Sequence, residues 1–412
     1  MLFTHPTSVA ALVDWASSPE RKDNMVPREA FTIRAFSLGP QRLWVAFVPA
    51  DANMKIQGFW MHPGVGISTR QAQEAFSHID VLEEIQVDSE VLAIPLEAET
   101  IYAALRERII GIVNRAPLST SNRPTSSDVY LFPTGMASIY RLHQLLLRTS
   151  PGPTVVFGFT FHSTQHLFED FHPPDAPFLN LGNADAADLA TLRTYLADLA
   201  SQGKTIQALW TEFPSNPNCV TPDIAALRAL ADQYGFPLII DDTVASPANV
   251  DVMPYADITI TSLTKSFSGY SDVMGGSLIL NPSSRLYNHF HTLLATHYHN
   301  GLHHADAAVL LANSADFLSR SAIHNRNTAA LAGLLATSPL ITEVYHPLHL
   351  PDSRPHYEAS MRPPTEDFTP GYGLLLSVEF VSLTALTAFY DALDIYKSPH
   401  LGGHVTLALP YM

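Results

Sequence analysis

The sequence predicts an α/β protein: a mostly parallel sheet with helices on both faces, followed by a smaller α+β domain. Three observations predict it. Between residues 129 and 261, short apolar runs alternate with helix-length amphipathic segments, the pattern of strands joined by helical crossovers. The residues able to do chemistry fall at the ends of those runs, where an open α/β sheet places its ligands. The chain has 412 residues, too many for one ordinary core, and at 46% apolar it can fill two. The expected division is an N-terminal segment over 1–87, a large domain over 88–315 and a small C-terminal domain over 316–412.

The first 87 residues are mixed in character. Apolar runs from Phe31 to Val48 are broken by Gly39-Pro40, and Gly58 to Phe76 is a glycine-rich approach to a helix. Glu97 to Val113 reads as an amphipathic helix, because Ile101, Leu105 and Ile109 recur every fourth residue. Ala116 to Ser127 is rich in Pro, Ser and Thr and reads as loop. Val129 to Phe132 is a strand, and Thr134-Gly135-Met136 opens a helix running to about Leu147. Backbone N–H groups at a helix start have no intrahelical acceptor and lie at the positive end of the dipole, so this turn is a natural phosphate cradle. Thr154 to Phe159 is a further strand. Asp185 caps a helix reaching Leu199. Ile206 to Thr211 is a strand leading into a Ser-Asn-Pro turn with Asn216. Asp223 to Tyr234 is a helix with Leu227 and Leu230 inward, closed by Gly235.

Two stretches carry the chemistry. Phe236 to Pro247, FPLIIDDTVASP, is an apolar strand ending in Asp241 and Asp242. Ile258 to Thr261 is a buried β-branched strand that breaks into Ser262-Leu263-Thr264-Lys265-Ser266. Lys265 is the lysine that a buried strand delivers into a polar turn. There it can lose its proton and act as a nucleophile; read locally, it is equally a surface-loop lysine. An acid at one strand end and a lysine at a neighbouring one suit pyridoxal phosphate (PLP). The lysine carries the cofactor covalently, and the carboxylate keeps the pyridine nitrogen protonated.

The motifs resemble a known family. SLTKSFSGYSDVMGG looks like the lysine motif of the Cys/Met-metabolism PLP enzymes, the cystathionine γ-synthase-like family. IIDDTVASP resembles its Asp-Asn-Thr strand, WTEFPSNP its Glu-x-Pro-Ser-Asn-Pro turn, and LFPTGMASI its Ser-Gly-Met-x-Ala phosphate turn. They occur in family order across roughly residues 58–410. The resemblance implies a PLP-dependent transferase of fold type I, with Lys265 and Asp241 as catalytic residues. It implies that Thr134, Gly135 and Met136 hold the phosphate with the hydroxyls of Ser262 and Thr264, that Asn216 and Thr243 lie around the ring, and that Phe161, with Phe159 as the alternative, stacks on it. The family places a tyrosine at that position and Tyr-x-Arg in the N-terminal segment. Here the latter reads Ser68-Thr69-Arg70, so the arginine is kept and the tyrosine is not. By resemblance Arg70 reaches the cofactor phosphate of a neighbouring subunit, in a homodimer or homotetramer with shared sites.

The remaining features narrow the reading. The net charge of −16, from 23 basic and 39 acidic residues, argues against nucleic acid and anionic membrane as partners. Any phosphate must therefore be held by local donors. One cysteine, Cys219, allows no internal disulfide and reads as buried and structural. With no signal peptide or spanning run at hand, a cytoplasmic enzyme is expected. No complete G-x-G-x-x-G turn or G-x-S-x-G elbow is present, which disfavours a Rossmann dehydrogenase and a serine hydrolase. His297, His299, His303 and His304 crowd one stretch. They read as exposed or hydrogen-bonded histidines rather than as metal ligands.

Beyond Ala307 one or two long helices lead to strands near Ile341–Tyr345 and Tyr372–Phe380, a helix around Leu383–Leu393 and a final strand Val405–Leu409. Pro399-His400-Leu401-Gly402 resembles the family's Ser-Leu-Gly turn. The family's following Arg-x-Ser-x-Gly-x-Glu segment is not seen, so either the sequence is truncated or another arginine binds the substrate carboxylate. The expected reaction is γ-replacement on an O-acyl-L-homoserine, a small amino-acid substrate. Elimination of the β- or γ-lyase type is the alternative, and a catalytically silent homologue a remoter one.

Overall fold

The computed structural model describes residues 1–150, 152–172 and 178–411. The N-terminal segment forms a four-stranded antiparallel sheet from β1 (Leu2–Phe3), β2 (Thr32–Leu38), β3 (Gln41–Phe47) and β4 (Glu83–Ile85), in the order β1-β3-β2-β4. It is not a detached arm within its own chain. Phe3, Trp15, Trp44 and Phe59 are buried in the same core as Trp210 and Leu278 of the large sheet and Tyr140 of the helix that packs on it. Trp44 Nε1 donates to the Val87 carbonyl at 2.8 Å, which satisfies the polar edge of a fully buried ring. Each such buried apolar side chain contributes about 1.5–3 kcal/mol relative to an exposed one. The core is therefore continuous across residue 87, where the sequence suggested a boundary.

The central sheet has seven strands: β5 (Val129–Phe132), β6 (Thr154–Phe157), β7 (Leu179–Leu181), β8 (Ala208–Glu212), β9 (Leu238–Asp241), β10 (Ile258–Ser262) and β11 (Gly276–Leu280). Their order is β5-β11-β10-β9-β8-β6-β7. The pairs β7·β6, β6·β8, β8·β9 and β9·β10 are parallel, and β11 is antiparallel to both β10 and β5. Thus β11 alone runs against the rest. Helices cover both faces, so β5, β8 and β10 are buried along nearly their whole length. The sequence did not show β7 or β11. The first is short, and the second begins at glycines that read as the end of a turn.

The predicted helix at Thr134 runs Gly135–Thr149, and the helix capped by Asp223 ends at Gly235 in the left-handed conformation (φ 82°). After Pro282 come helices Tyr287–His297, His304–Asn313 and Phe317–Leu335. The C-terminal part holds an antiparallel pair, β12 (Ile341–Tyr345) with β13 (Ser377–Phe380), the helix Leu383–Ala392, and a short parallel pair, β14 (Tyr396–Lys397) with β15 (Leu407–Ala408). No helix among the described residues is long and apolar enough to cross a membrane.

Candidate active site

Because β5, β6, β8, β9 and β10 point the same way, their carboxyl ends share one edge of the sheet. Asp241 closes β9, and Lys265 follows the end of β10 by three residues, in the turn beside it. Strand alternation sends the two neighbouring carboxylates to opposite faces. Asp242 turns into the protein, where Thr261 Oγ1 donates to its Oδ1 at 2.6 Å and burial pushes its pKa up to about 7. Asp241 is left for the site. The Thr243 N–H donates to Asp241 Oδ1 at 2.9 Å, and Thr243 Oγ1 accepts from the Ser262 N–H at 2.8 Å. Thr243 thus ties the ends of β9 and β10 together and fixes the carboxylate on its backbone.

Lys265 is half-buried, with Nζ 6.0 Å from the centroid of the Phe161 ring. Burial lowers its pKa, against a smaller opposing pull from Asp241. Burial also raises the pKa of Asp241, with Thr243 and Lys265 acting the other way. The turn carrying Lys265 is strapped from outside by Arg320, which lies on the helix Phe317–Leu335. Its guanidinium donates to the carbonyls of Ser266 at 2.8 Å and Phe267 at 3.1 Å. Gly269 makes room for it, since a Cβ there would lie 1.8 Å from Arg320 Nη1.

The turn at Thr134 and Gly135, expected to take the phosphate, is packed from three sides. Thr134 caps the helix by accepting from the Ala137 N–H at 2.9 Å, and its hydroxyl donates to the Gly64 carbonyl at 3.0 Å. A Cβ on Gly135 would lie 2.7 Å from Ser262 Cβ, and one on Gly276 would lie 2.4 Å from the Thr134 carbonyl oxygen. Only bare backbone fits there. The hydroxyl of Ser262 faces the helix start, whereas that of Thr264 is spent closing its own loop, donating to the Gly275 carbonyl at 3.2 Å and accepting from its N–H at 3.1 Å. Met136 is half-buried beside Thr164, whose Oγ1 is 3.8 Å from its sulfur.

Other expected residues are placed less directly. Asn216 is half-buried at the same edge, and its backbone N–H donates to Glu212. Arg70 is engaged within its own chain, bonded to the Asp272 carbonyl at 2.9 Å and to Asp306 Oδ1 at 3.1 Å. Ser68, at the missing tyrosine, caps the helix Thr69–Ser77 by accepting from the Gln71 N–H at 3.1 Å. Cys219 is fully buried, and burial pushes its thiol up to about 12, which leaves no reactive thiolate.

Three residues of this neighbourhood were not among those singled out by sequence. Glu212 ends β8 in register with Asp241 and accepts from the Phe161 N–H at 2.7 Å. Burial first, and the Asp241 charge second, raise its pKa well above the usual carboxylate range. A glutamate finishing an apolar strand next to the aspartate strand was the available signal. Arg320 carried none, since the carbonyls it holds on the lysine turn lie more than fifty residues away. His400 lay in a recognised turn without a role. Its Nδ1 accepts from the Gly402 N–H at 2.8 Å, and burial and the Lys265 charge lower its pKa.

The residues fit PLP: a cradle that any Cβ would fill, one carboxylate fixed on its own backbone, and a half-buried lysine between that carboxylate and an aromatic face. Lys265 would hold the cofactor covalently, and Asp241 would face its ring nitrogen. The first turn at Gly135 and Met136, with Ser262, would take the phosphate.

Comparison with known proteins agrees. The family described as Cys/Met metabolism PLP-dependent enzyme matches residues 124–408. The cystathionine gamma-synthase-like enzyme iboG2 of Amanita muscaria is 33% identical over 100% of this chain and 76% of its own length. The alanine racemase ungC of Aspergillus violaceofuscus is 36% identical over 91% of this chain and 67% of its own. The crystal structure of a cystathionine gamma-lyase from Lactobacillus plantarum superposes with a TM-score of 0.59 at 21% identity, covering 75% of this chain and 74% of that one. A helix-wrapped, mostly parallel sheet, a lysine turn beside an aspartate strand and a match over most of the sequence lead to one assignment: the chain belongs to the Cys/Met metabolism family of PLP-dependent enzymes, with the type I fold.

Proposed function

We propose that the enzyme catalyses γ-replacement on an O-acyl-L-homoserine: the acyl group leaves as a carboxylate and a nucleophile adds at the γ carbon. The observation that carries this reading is the Phe161 ring facing Lys265 Nζ. A thiolate leaving from carbon benefits from a nearby proton donor, and a phenyl ring has none to give. A carboxylate is already a stable anion at neutral pH and leaves without that help. The second expected phenol is also absent, because Ser68 caps a helix in its place. Similarity to a protein named cystathionine gamma-synthase-like supports the same reaction class.

Bound PLP supplies an electron sink for charge developing on the substrate carbons. The chain supplies the rest. Lys265, with its pKa lowered by burial, would accept and return protons at the substrate carbons. Asp241, fixed by Thr243, would hold the positive ring nitrogen. Glu212, whose pKa burial and the Asp241 charge raise, fixes the Phe161 backbone by accepting from its N–H at 2.7 Å. The nucleophile is a thiol such as cysteine or, with no phenol to deprotonate one, a carbon acid. We take the assembly to be a homodimer or homotetramer in which the N-terminal segment meets a neighbour; full activity from a monomer in light scattering would refute this.

The test is to incubate the enzyme separately with O-acetyl-L-homoserine and with cystathionine. The expected result is acetate release that accelerates when a nucleophile is added. Fast 2-oxobutyrate or pyruvate release from cystathionine, with no turnover of the ester, would make the enzyme a lyase. The 36% identity to a protein named alanine racemase favours a second reading, proton exchange at the α carbon alone. Chiral analysis of L-alanine incubated with the enzyme separates it from the first.

A further inference from the structure

Three side chains from two distant parts of the chain meet one helical turn beyond Arg70. Glu74 lies on the helix Thr69–Ser77, while His303 and His304 occupy the cap and first position of the helix His304–Asn313. Their ligand atoms all lie within 4.8 Å of one another. His303 Nε2 is 3.3 Å from Glu74 Oε2, and His304 Nε2 is 3.9 Å from Glu74 Oε1. Imidazole nitrogens and a carboxylate oxygen bound tetrahedrally at about 2.0–2.1 Å to one zinc ion stand roughly 3.3 Å apart. Small side-chain rotations close the difference.

A second observation points to a ligand at this place. The His303 side chain is only 6% exposed, and its Nε2, aimed at Glu74, has no hydrogen-bond partner. A buried nitrogen left so is costly, and an ion between the two groups would satisfy it. The carboxylate is also oriented from behind, since Gln41 Nε2 donates to Glu74 Oε2 at 2.5 Å. Such outer hydrogen bonds are typical of ligating carboxylates. The neighbouring charges allow a cation: Arg70 is the nearby positive group, and Asp306 at 3.1 Å and Asp272 at 3.9 Å offset it. His304, 41% exposed, opens the cluster to solvent, leaving a coordination position for water. The sequence favoured ordinary histidines here because it could not bring Glu74 to them. His299, of the same crowded stretch, lies past the end of the helix Tyr287–His297 and packs on His5 instead.

We propose that Glu74, His303 and His304 bind one divalent transition-metal ion of the zinc class, clamping the helix Thr69–Ser77, with Arg70, to the start of the helix His304–Asn313. The set of two imidazoles and one carboxylate suits zinc over the hard cations magnesium and calcium. The proposal is independent of the reaction assigned to the PLP site.

The experiment uses the full chain with its cofactor, stripped by a chelator and dialysed against zinc chloride in phosphate-free buffer. Elemental analysis should find one zinc per chain, and thermal unfolding should shift upward with zinc concentration. His304→Ala, at a half-exposed position, and Glu74→Gln should each weaken zinc binding at least tenfold. Gln41→Ala should weaken it about 10–100-fold through the carboxylate it orients. Unchanged cofactor absorbance in His304→Ala shows that the fold is kept. Absence of bound zinc in the parent protein, or parent stoichiometry in both His304→Ala and Glu74→Gln, would overturn the proposal.

Discussion

The Lys265 ammonium nitrogen stands 6.0 Å from the centroid of the Phe161 ring, with no hydroxyl on that ring to exchange a proton with it. Phe161 is partly exposed, and its backbone N–H is pinned by Glu212 at 2.7 Å, so the ring position is set by the strand end and not by core packing. Phe161→Tyr should therefore be accommodated. It should raise cystathionine cleavage several-fold relative to ester turnover while leaving cofactor affinity unchanged. Phe161→Ala should weaken cofactor retention by about 0.5–1.5 kcal/mol, the worth of one aromatic contact. Parallel assays on the two substrates and a cofactor titration read both outcomes.

Asp241→Asn should leave the protein yellow, because Lys265 is untouched, but should lower activity by about 10²-fold. A neutral amide no longer favours the positive ring nitrogen. Near-normal turnover with the absorbance retained would remove Asp241 from that role.

The phosphate turn predicts a contrast between glycines. Gly276→Ala drives a Cβ into the Thr134 carbonyl, which is backbone and cannot rotate away. Overpacking of this kind costs about 1–3 kcal/mol, and here it displaces the N–H groups that would take the phosphate. Cofactor affinity should fall by an order of magnitude or more. Gly333→Ala, in the helix Phe317–Leu335 with nothing within 4 Å of the added carbon, should leave affinity unchanged and stabilise the fold by about 0.5–1 kcal/mol. Fluorescence titration of both variants makes the comparison.

Much of this site was legible because its parts sit at strand ends. Lys265, Asp241 and the Thr134 turn each follow a short apolar run that can only be a buried strand, and the sheet then brings the ends together. What was not legible depends on contacts between distant segments. Gly64 reads as part of a glycine-rich approach to a helix, yet its carbonyl accepts the Thr134 hydroxyl seventy residues away. The hydroxyl of Thr264 looks available in the sequence, but the return of the chain at Gly275 consumes it. The resemblance points Arg70 toward a neighbouring subunit, whereas its bond to Asp306 spans more than two hundred residues that no local pattern connects.

Buried histidines predict the acid side of the stability profile. His143 is fully buried against Phe168, and burial pushes its pKa down to about 4. A folded pKa below the ordinary 6.5 means that the unfolded chain takes up the proton first. The stability so contributed is present above pH 6.5 and is lost as pH falls toward 4. One such proton changes the unfolding free energy by about 1.4 kcal/mol per pH unit in that window. Denaturant unfolding between pH 6.5 and 4.5 should show the decline, and His143→Gln should reduce its slope by roughly that amount. Groups that titrate oppositely, such as Asp242, act equally in both proteins and cancel in the comparison.

The placement of Lys265 beside Asp241 is what the whole account rests on, and borohydride reduction of the PLP-loaded enzyme followed by peptide mapping tests it most directly. Reduction should bleach the yellow protein and leave the cofactor label on the peptide containing Lys265, with Lys265→Ala unlabelled. A label on Lys22, Lys55, Lys204 or Lys397, or colour and label retained in Lys265→Ala, would contradict it.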